Sequence, residues 1–324
     1  AGVLVLLLYF PGGLVQIPLN ARDGVFGWLA GRRTPAEPVP RPTAVARQLP
    51  DRAPVPAGDT TALSARGVTV KFGSRTVLRD VAIDVGRGEV VGLIGANGAG
   101  KSTLMNAIGG YVRSTGDVAI FGQRAHGLAA HRRAALGLGR TFQDAALYGD
   151  LTVRETVQVA VETRARARLA PVVLGLPGAR RAERSKRAHA DEILDFVGLG
   201  AASERFVSEL STGMRRIVEF ACLIASDAKL LCLDEPTAGV AQREAEAFGP
   251  LLLQVRRELD ASMLIIEHDM PLVMSVSDRI FCLELGEVIA EGLPTDVRND
   301  PRVVASYLGT DTAAIERSGT RTSV

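Results

Sequence analysis

Cysteine is scarce in this chain, with three residues in 324, Cys222, Cys232 and Cys282. Each lies in an apolar run and none shares a metal-type spacing with another, so they read as small core residues of a reducing compartment. A surplus of charge is missing too. Lys and Arg number 38 against 36 Asp and Glu, and the resulting net charge of +2 gives no argument for a nucleic-acid partner, which demands a concentrated basic face. Long apolar runs are also absent from the amino-terminal zone. Residues 1–15 are apolar, but Val3 to Phe10 stops at Pro11-Gly12-Gly13, short of the roughly 20 apolar residues that a bilayer span needs. No basic leader, cleavage site or preceding Met marks this stretch as a signal peptide. What is plentiful is material for a core: 47% hydrophobic residues in a chain long enough for more than one structural unit.

The first chemical signal is Gly95-Ala96-Asn97-Gly98-Ala99-Gly100-Lys101-Ser102. An apolar run, Val90 to Ile94, precedes it and Thr103-Leu104-Met105 follows, so a strand feeds a glycine-rich turn that opens a helix. Backbone N–H groups from Gly95 to Thr103, Asn97 among them, can close around phosphate oxygens while the helix dipole adds positive charge. Lys101 can reach the β- and γ-phosphates, and the Ser102 hydroxyl can hold Mg²⁺. This is an ATP or GTP site.

Leu230-Leu231-Cys232-Leu233 is continuously apolar, as in a parallel strand buried on both faces, and ends in Asp234-Glu235-Pro236. Ligands bind at the carboxyl edge of such sheets. There Asp234 can hold Mg²⁺ through water while Glu235 orients and deprotonates the attacking water. A third segment, Leu210-Ser211-Thr212-Gly213-Met214-Arg215-Arg216, precedes an apolar stretch long enough for a buried helix. Ser211 and the Gly213 amide then mark a second anion site at a helix N-terminus. One nucleotide does not need both, and a head-to-tail dimer would close the Ser211 helix of one protomer on the γ-phosphate held by Lys101 of its partner.

Taken together, these residues resemble the nucleotide-binding subunits of ATP-binding cassette (ABC) transporters, over about three quarters of the chain, from Thr61 to Gly309. The resemblance assigns further roles. Phe72 matches the aromatic residue that stacks on adenine. Gln143, in Arg140-Thr141-Phe142-Gln143, matches the glutamine that touches Mg²⁺ or the lytic water and links the site to a membrane partner. His268 matches the switch histidine that bonds the γ-phosphate. The chain departs from the family at Thr212 and Met214, where glycine and Gln or Glu are usual, and at Ala241, where Asp or Asn is usual. The first two leave Ser211 and Gly213 in place, and the third bears on communication between sites, not on hydrolysis.

Within the family, Glu267-His268-Asp269-Met270 and the segment Glu291-Gly292-Leu293-Pro294-Thr295 through Ser306-Tyr307-Leu308-Gly309 look like those of branched-chain amino acid importers. The closing segment is shared, with variation, by lipopolysaccharide-export and urea-import ATPases.

The expected fold is α/β: a P-loop NTPase with a mainly parallel central sheet, an antiparallel β-subdomain and a helical subdomain. Alternation at Val68, Val70 and Phe72, and at Val81, Ile83 and Val85, predicts two strands joined at Gly73-Ser74. The pattern is mainly helical over about 125–225. A basic stretch there, Arg164 to Arg187, reads as a solvated helical surface balanced by Glu162 and Glu183, with contact to anionic lipid as the lesser alternative. Residues 16–60 are expected to form a linker, proline-rich from about Arg32, the cassette to span 61–309, and the polar, aperiodic 310–324 to form a disordered tail.

The resemblance implies an ATPase motor at the cytoplasmic face of the plasma (inner) membrane, using ATP and Mg²⁺. Its implied partners are a second ATPase subunit or domain, a transmembrane permease and an extracytoplasmic substrate-binding protein. A soluble ABC ATPase without a permease is the alternative, but such proteins usually carry two cassettes or a long coiled-coil insertion, and this chain has neither. Leu4 to Phe10 followed by Pro11-Gly12-Gly13-Leu14 resembles the end of a permease helix, so a permease fused upstream is a further expectation.

Overall fold

In the computed structural model, which describes residues 61–142, 147–163, 177–240 and 242–307, the predicted alternation becomes a long hairpin. Strands β1 (Thr61–Phe72) and β2 (Arg75–Gly86) pair antiparallel, with Ala65 opposite Ile83, Val68 opposite Val81 and Val70 opposite Leu78. These side chains are buried, whereas Phe72, at the hairpin end opposite Arg75, is 53% exposed. The alternation therefore continues one residue past the core, and the exposed ring is left for other contacts.

Next come β3 (Val90–Ile94), α1 (Lys101–Gly109), β4 (Thr115–Ile120), β5 (Gln123–Arg124), α2 (Ala130–Ala135) and β6 (Leu138–Arg140). Helices α3 (Val153–Glu162), α4 (Pro177–Phe196) and α5 (Thr212–Ala225) follow. The chain then alternates through β7 (Leu230–Asp234), α6 (Gln242–Leu259), β8 (Ser262–Ile266), α7 (Met270–Val276), β9 (Arg279–Glu284), β10 (Glu287–Gly292) and α8 (Pro294–Asn299), and a helix over 301–307 closes it.

Two sheets result, β2-β1-β4-β5, antiparallel throughout, and β10-β9-β3-β8-β7-β6. In the second, β6, β7, β8, β3 and β9 run parallel and only the edge strand β10 is antiparallel. All five residues of β3, β7 and β8 are buried, as expected for strands covered on both faces. One apolar cluster fills the space between α1, the antiparallel sheet and the central sheet. Another packs α3 to α6 on the opposite face. A third joins Ile94 to Cys282, Val297 and Val303 near the carboxyl-terminal helices.

The stretch 125–225 is less uniformly helical than its pattern suggests, because β6 lies inside it and pairs with β7. A three-residue strand is too short to show a period, so only its pairing reveals it. Of the basic stretch, Lys186 is buried between Glu162 and Glu183, at 2.8 and 2.9 Å, while Arg181, Arg184 and Arg187 are exposed. Cys232 and Cys282 are buried and Cys222 partly so, with no disulfide among them. Among the described residues no helix is long and apolar enough to cross a membrane. The expectations for 1–15, 16–60 and 310–324, and for Gln143 and Ala241, fall outside the described residues.

Candidate nucleotide site

The phosphate loop leaves β3 at Ile94 and enters α1 at Lys101, with Gly95, Asn97, Gly98 and Gly100 in the turn and Ser102 and Thr103 in the first helical turn. Its path depends on glycine. Gly95 has φ +145° and a Cβ there would lie 2.1 Å from the Leu283 carbonyl oxygen; at Gly100, φ +107°, it would lie 2.7 Å from Leu78 Cδ2. No side chain caps the start of α1, so its first N–H groups remain available to an anion. At the other end Arg133 donates from Nη1 to the carbonyls of Ala107 and Ile108 at 2.7 and 2.6 Å, placing a cation where the dipole favours one.

Lys101 is buried and its ammonium folds back on the loop, donating to the Gly95 and Ala96 carbonyls at 2.7 and 3.1 Å. Burial lowers its pKa, against the opposing pull of Glu235 and Asp234. The lysine and both carboxylates thus share one electrostatic site.

Asp234 ends β7 beside the loop. Its N–H donates to Thr141 Oγ1 at 2.9 Å, and its Oδ2 is 3.2 Å from Arg140 Nη2 with both side chains almost wholly buried. Burial raises the carboxyl pKa and the Arg140 charge opposes that rise. Oδ1 is buried and meets no hydrogen bond of good geometry, the Ser102 hydroxyl being the carboxylate's remaining polar neighbour. A buried oxygen of this kind, near the Ser102 hydroxyl, fits a small hard dication or its water. Among the described residues no cluster of three His, Cys, Asp or Glu could hold a metal alone.

Glu235 is held in the left-handed region, φ +50°, with its N–H donating to the Ile266 carbonyl at 2.9 Å. That conformation is costly for a residue with a Cβ and turns the chain sharply off the strand. The Glu235 carboxylate Oε1 and His268 Nε2 lie 2.9 Å apart, and with Glu235 ionised the imidazole N–H is the donor. The structure therefore brings Lys101, Asp234, Glu235 and His268 into one site. Phe72 stands exposed at the hairpin end. Ser211 caps α5, its Oγ accepting the Met214 N–H at 3.2 Å, with Ser211 exposed and Gly213 buried.

The sequence motifs assign no structural role to several supporting residues. Glu267, 4% exposed, accepts from the Thr237 N–H and hydroxyl at 2.8 and 2.6 Å and so ties the turn after Glu235 to the turn carrying His268. Tyr307 accepts the Gly95 N–H through its hydroxyl at 2.8 Å. Glu219 and Arg216 grip the backbone of Phe142, the residue before Gln143. A sequence signal existed for two of these: Glu219 and Glu267 are carboxylates adjoining apolar runs that have no room for an unpaired charge.

Comparison with known proteins agrees with this geometry. Residues 78–238 match the ABC transporter family, and 287–313 match the branched-chain amino acid ATP-binding cassette transporter family. The chain is 35% identical over 248 residues to the high-affinity branched-chain amino acid transport ATP-binding protein LivG of Salmonella typhimurium, covering 76% of this chain and 97% of that protein. It is an ABC transporter ATPase. The corresponding protein BraF of Pseudomonas aeruginosa is 34% identical, with the same coverage. Among solved structures, a nucleotide-free ATP-binding cassette from an ABC transporter superimposes with a TM-score of 0.66 at 29% identity, over 76% of this chain and 98% of that one. The ABC ATPase binds nucleotide, and its reaction is ATP hydrolysis.

Proposed function

We propose that the chain is the motor subunit of a membrane importer for branched-chain or related amino acids, working at the cytoplasmic face of the membrane. The observation that carries the hydrolytic role is the convergence of Lys101, Asp234, Glu235 and His268 at the carboxyl edge of β3, β7 and β8. The cargo rests on the likeness of residues 287–313 and on the LivG and BraF relatives.

In this reading the loop from Gly95 to Thr103 and Lys101 bind the phosphates, the loop through the amides left over once Gly95 N–H is given to Tyr307 and Ala99 N–H to the Ala96 carbonyl, Phe72 stacks on adenine, and Ser102, Gln143 and Asp234 hold Mg²⁺, Asp234 through water. Magnesium, when bound, neutralises charge on the transferred phosphoryl group. Glu235 takes the proton of the attacking water, while His268, held against Glu235 and reaching the γ-phosphate, positions both. Ser211 and Gly213 of a second cassette close the site head to tail, and Gln143 passes that closure to a permease served by a substrate-binding protein. Positioning and charge neutralisation supply most of the acceleration. Proteoliposomes holding the chain with its copurifying membrane protein test the reading: leucine uptake should require ATP and vanish with Glu235→Gln. An active ATPase that never copurifies with a membrane protein supports the soluble alternative instead.

A further inference from the structure

Arg140 occupies a place the hydrolytic scheme does not use. It ends β6, whose pairing with β7 sets Arg140 opposite Cys232, two residues before Asp234. Its guanidinium forks: Nη2 lies 3.2 Å from Asp234 Oδ2 and Nη1 donates to Asn106 Oδ1 at 2.7 Å. Asn106 is on α1, four residues after Ser102 and therefore on the same face of that helix. The guanidinium carbon lies 5.4 Å from the centre of the Tyr111 ring and 5.2 Å from that of Phe142. The next residue, Thr141, accepts the Asp234 N–H.

We propose that Arg140 is a positioning residue of the ATPase, holding Oδ2 of Asp234 so that Oδ1 alone faces the metal of the bound nucleotide. Two observations point this way. Oδ2 is taken by Arg140, and Oδ1 is buried and meets no hydrogen bond of good geometry, the Ser102 hydroxyl being the carboxylate's remaining polar neighbour, so the carboxylate is presented in one orientation. The other arm of the fork is anchored to the phosphate-loop helix, so the distance between Ser102 and Asp234 is braced through one side chain. A planar fork can make both bonds at once, whereas the single ammonium of lysine cannot reproduce that geometry. A buried ion pair is a poor source of stability against an apolar replacement, which leaves positioning as the gain from keeping one here.

The inference rests on the reading of Asp234 as a ligand to the metal's water, and its test separates the two. Mn²⁺ is titrated by electron paramagnetic resonance into protein saturated with a non-hydrolysable ATP analogue, and analogue binding is measured separately in EDTA. Arg140→Lys should weaken Mn²⁺ binding roughly 10-fold, as removal of an outer partner of a metal ligand does, with metal-free nucleotide affinity within about twofold of the parent. Asn106→Ala, which leaves the ion pair in place, should shift Mn²⁺ affinity in the same direction by less and guards against a misfolded Arg140 variant. Asp234→Asn is the control. Unchanged Mn²⁺ affinity in both Arg140→Lys and Asn106→Ala, with Asp234→Asn impaired, overturns the positioning role alone. Unchanged affinity in Asp234→Asn overturns the ligand reading beneath it. Parallel loss of metal-free nucleotide binding in Arg140→Lys would reduce Arg140 to a structural brace of the phosphate loop, which also overturns the proposal.

Discussion

Replacing Glu219 by Ala should cost this protein about 4 kcal/mol of folding stability, because the carboxylate serves two buried groups at once. Its Oε1 accepts the Phe142 N–H at 3.0 Å, and its Oε2 lies 3.1 Å from Arg216 Nη1, which also donates to the Phe142 carbonyl at 2.6 Å. The Arg216 and Glu219 side chains are only 7% and 10% exposed, so water cannot replace the lost partner. Breaking a buried pair costs roughly 3–5 kcal/mol; Arg216 keeps the Phe142 carbonyl, which puts its share at the low end, and the abandoned Phe142 N–H adds part of a further 1–3 kcal/mol. Glu219→Gln keeps an acceptor for Phe142 and removes a charge that burial disfavours, so its cost at neutral pH should stay below about 1 kcal/mol. The measurement is urea unfolding at neutral pH, read as midpoint and slope. A loss below about 1 kcal/mol in Glu219→Ala, or a greater loss in Gln than in Ala, would refute the reasoning. Acidity supplies a second reading. Burial raises the Glu219 pKa above its unfolded value, so the native state holds the proton more tightly. Its contribution to stability therefore falls as pH rises from the ordinary carboxylate range through the raised value, and Glu219→Gln should lack that component of the pH slope.

Glu235→Gln should bind ATP with near-normal affinity yet turn over roughly 10²–10⁴-fold more slowly, since size and hydrogen bonding survive while proton acceptance is lost; unchanged turnover removes Glu235 from the role. Tyr307→Phe should lower nucleotide-free stability by roughly 1–3 kcal/mol, because the Gly95 N–H loses its acceptor, and a melting temperature equal to the parent's would show that water takes its place. With ATP bound and Glu235 replaced, cysteines at positions 211 and 98 should crosslink between protomers; no crosslink under those conditions counts against the head-to-tail arrangement.

The sequence by itself determined the chemistry that is local along the chain. Glycines 95, 98 and 100 between an apolar run and Lys101 dictate a tight strand-to-helix turn, because all three take positive φ angles and the approach of Leu283 at Gly95 and of Leu78 at Gly100 excludes a Cβ. The uninterrupted apolar runs at 90–94 and 230–233 dictate buried parallel strands, and the acid pair that follows the second was legible from its place at a strand end. Alternation likewise marked β1 and β2, although it could not say that Phe72 would fall outside the core. The tertiary structure alone decided which distant groups meet. Arg140 and Asp234 are paired only because β6 lies beside β7; Tyr307 reaches Gly95, and Glu219 the Phe142 backbone, across long stretches of chain. Such pairs leave no period or spacing in the sequence. They follow from a buried polar group's need for a partner, and the fold fixes which one lies within reach.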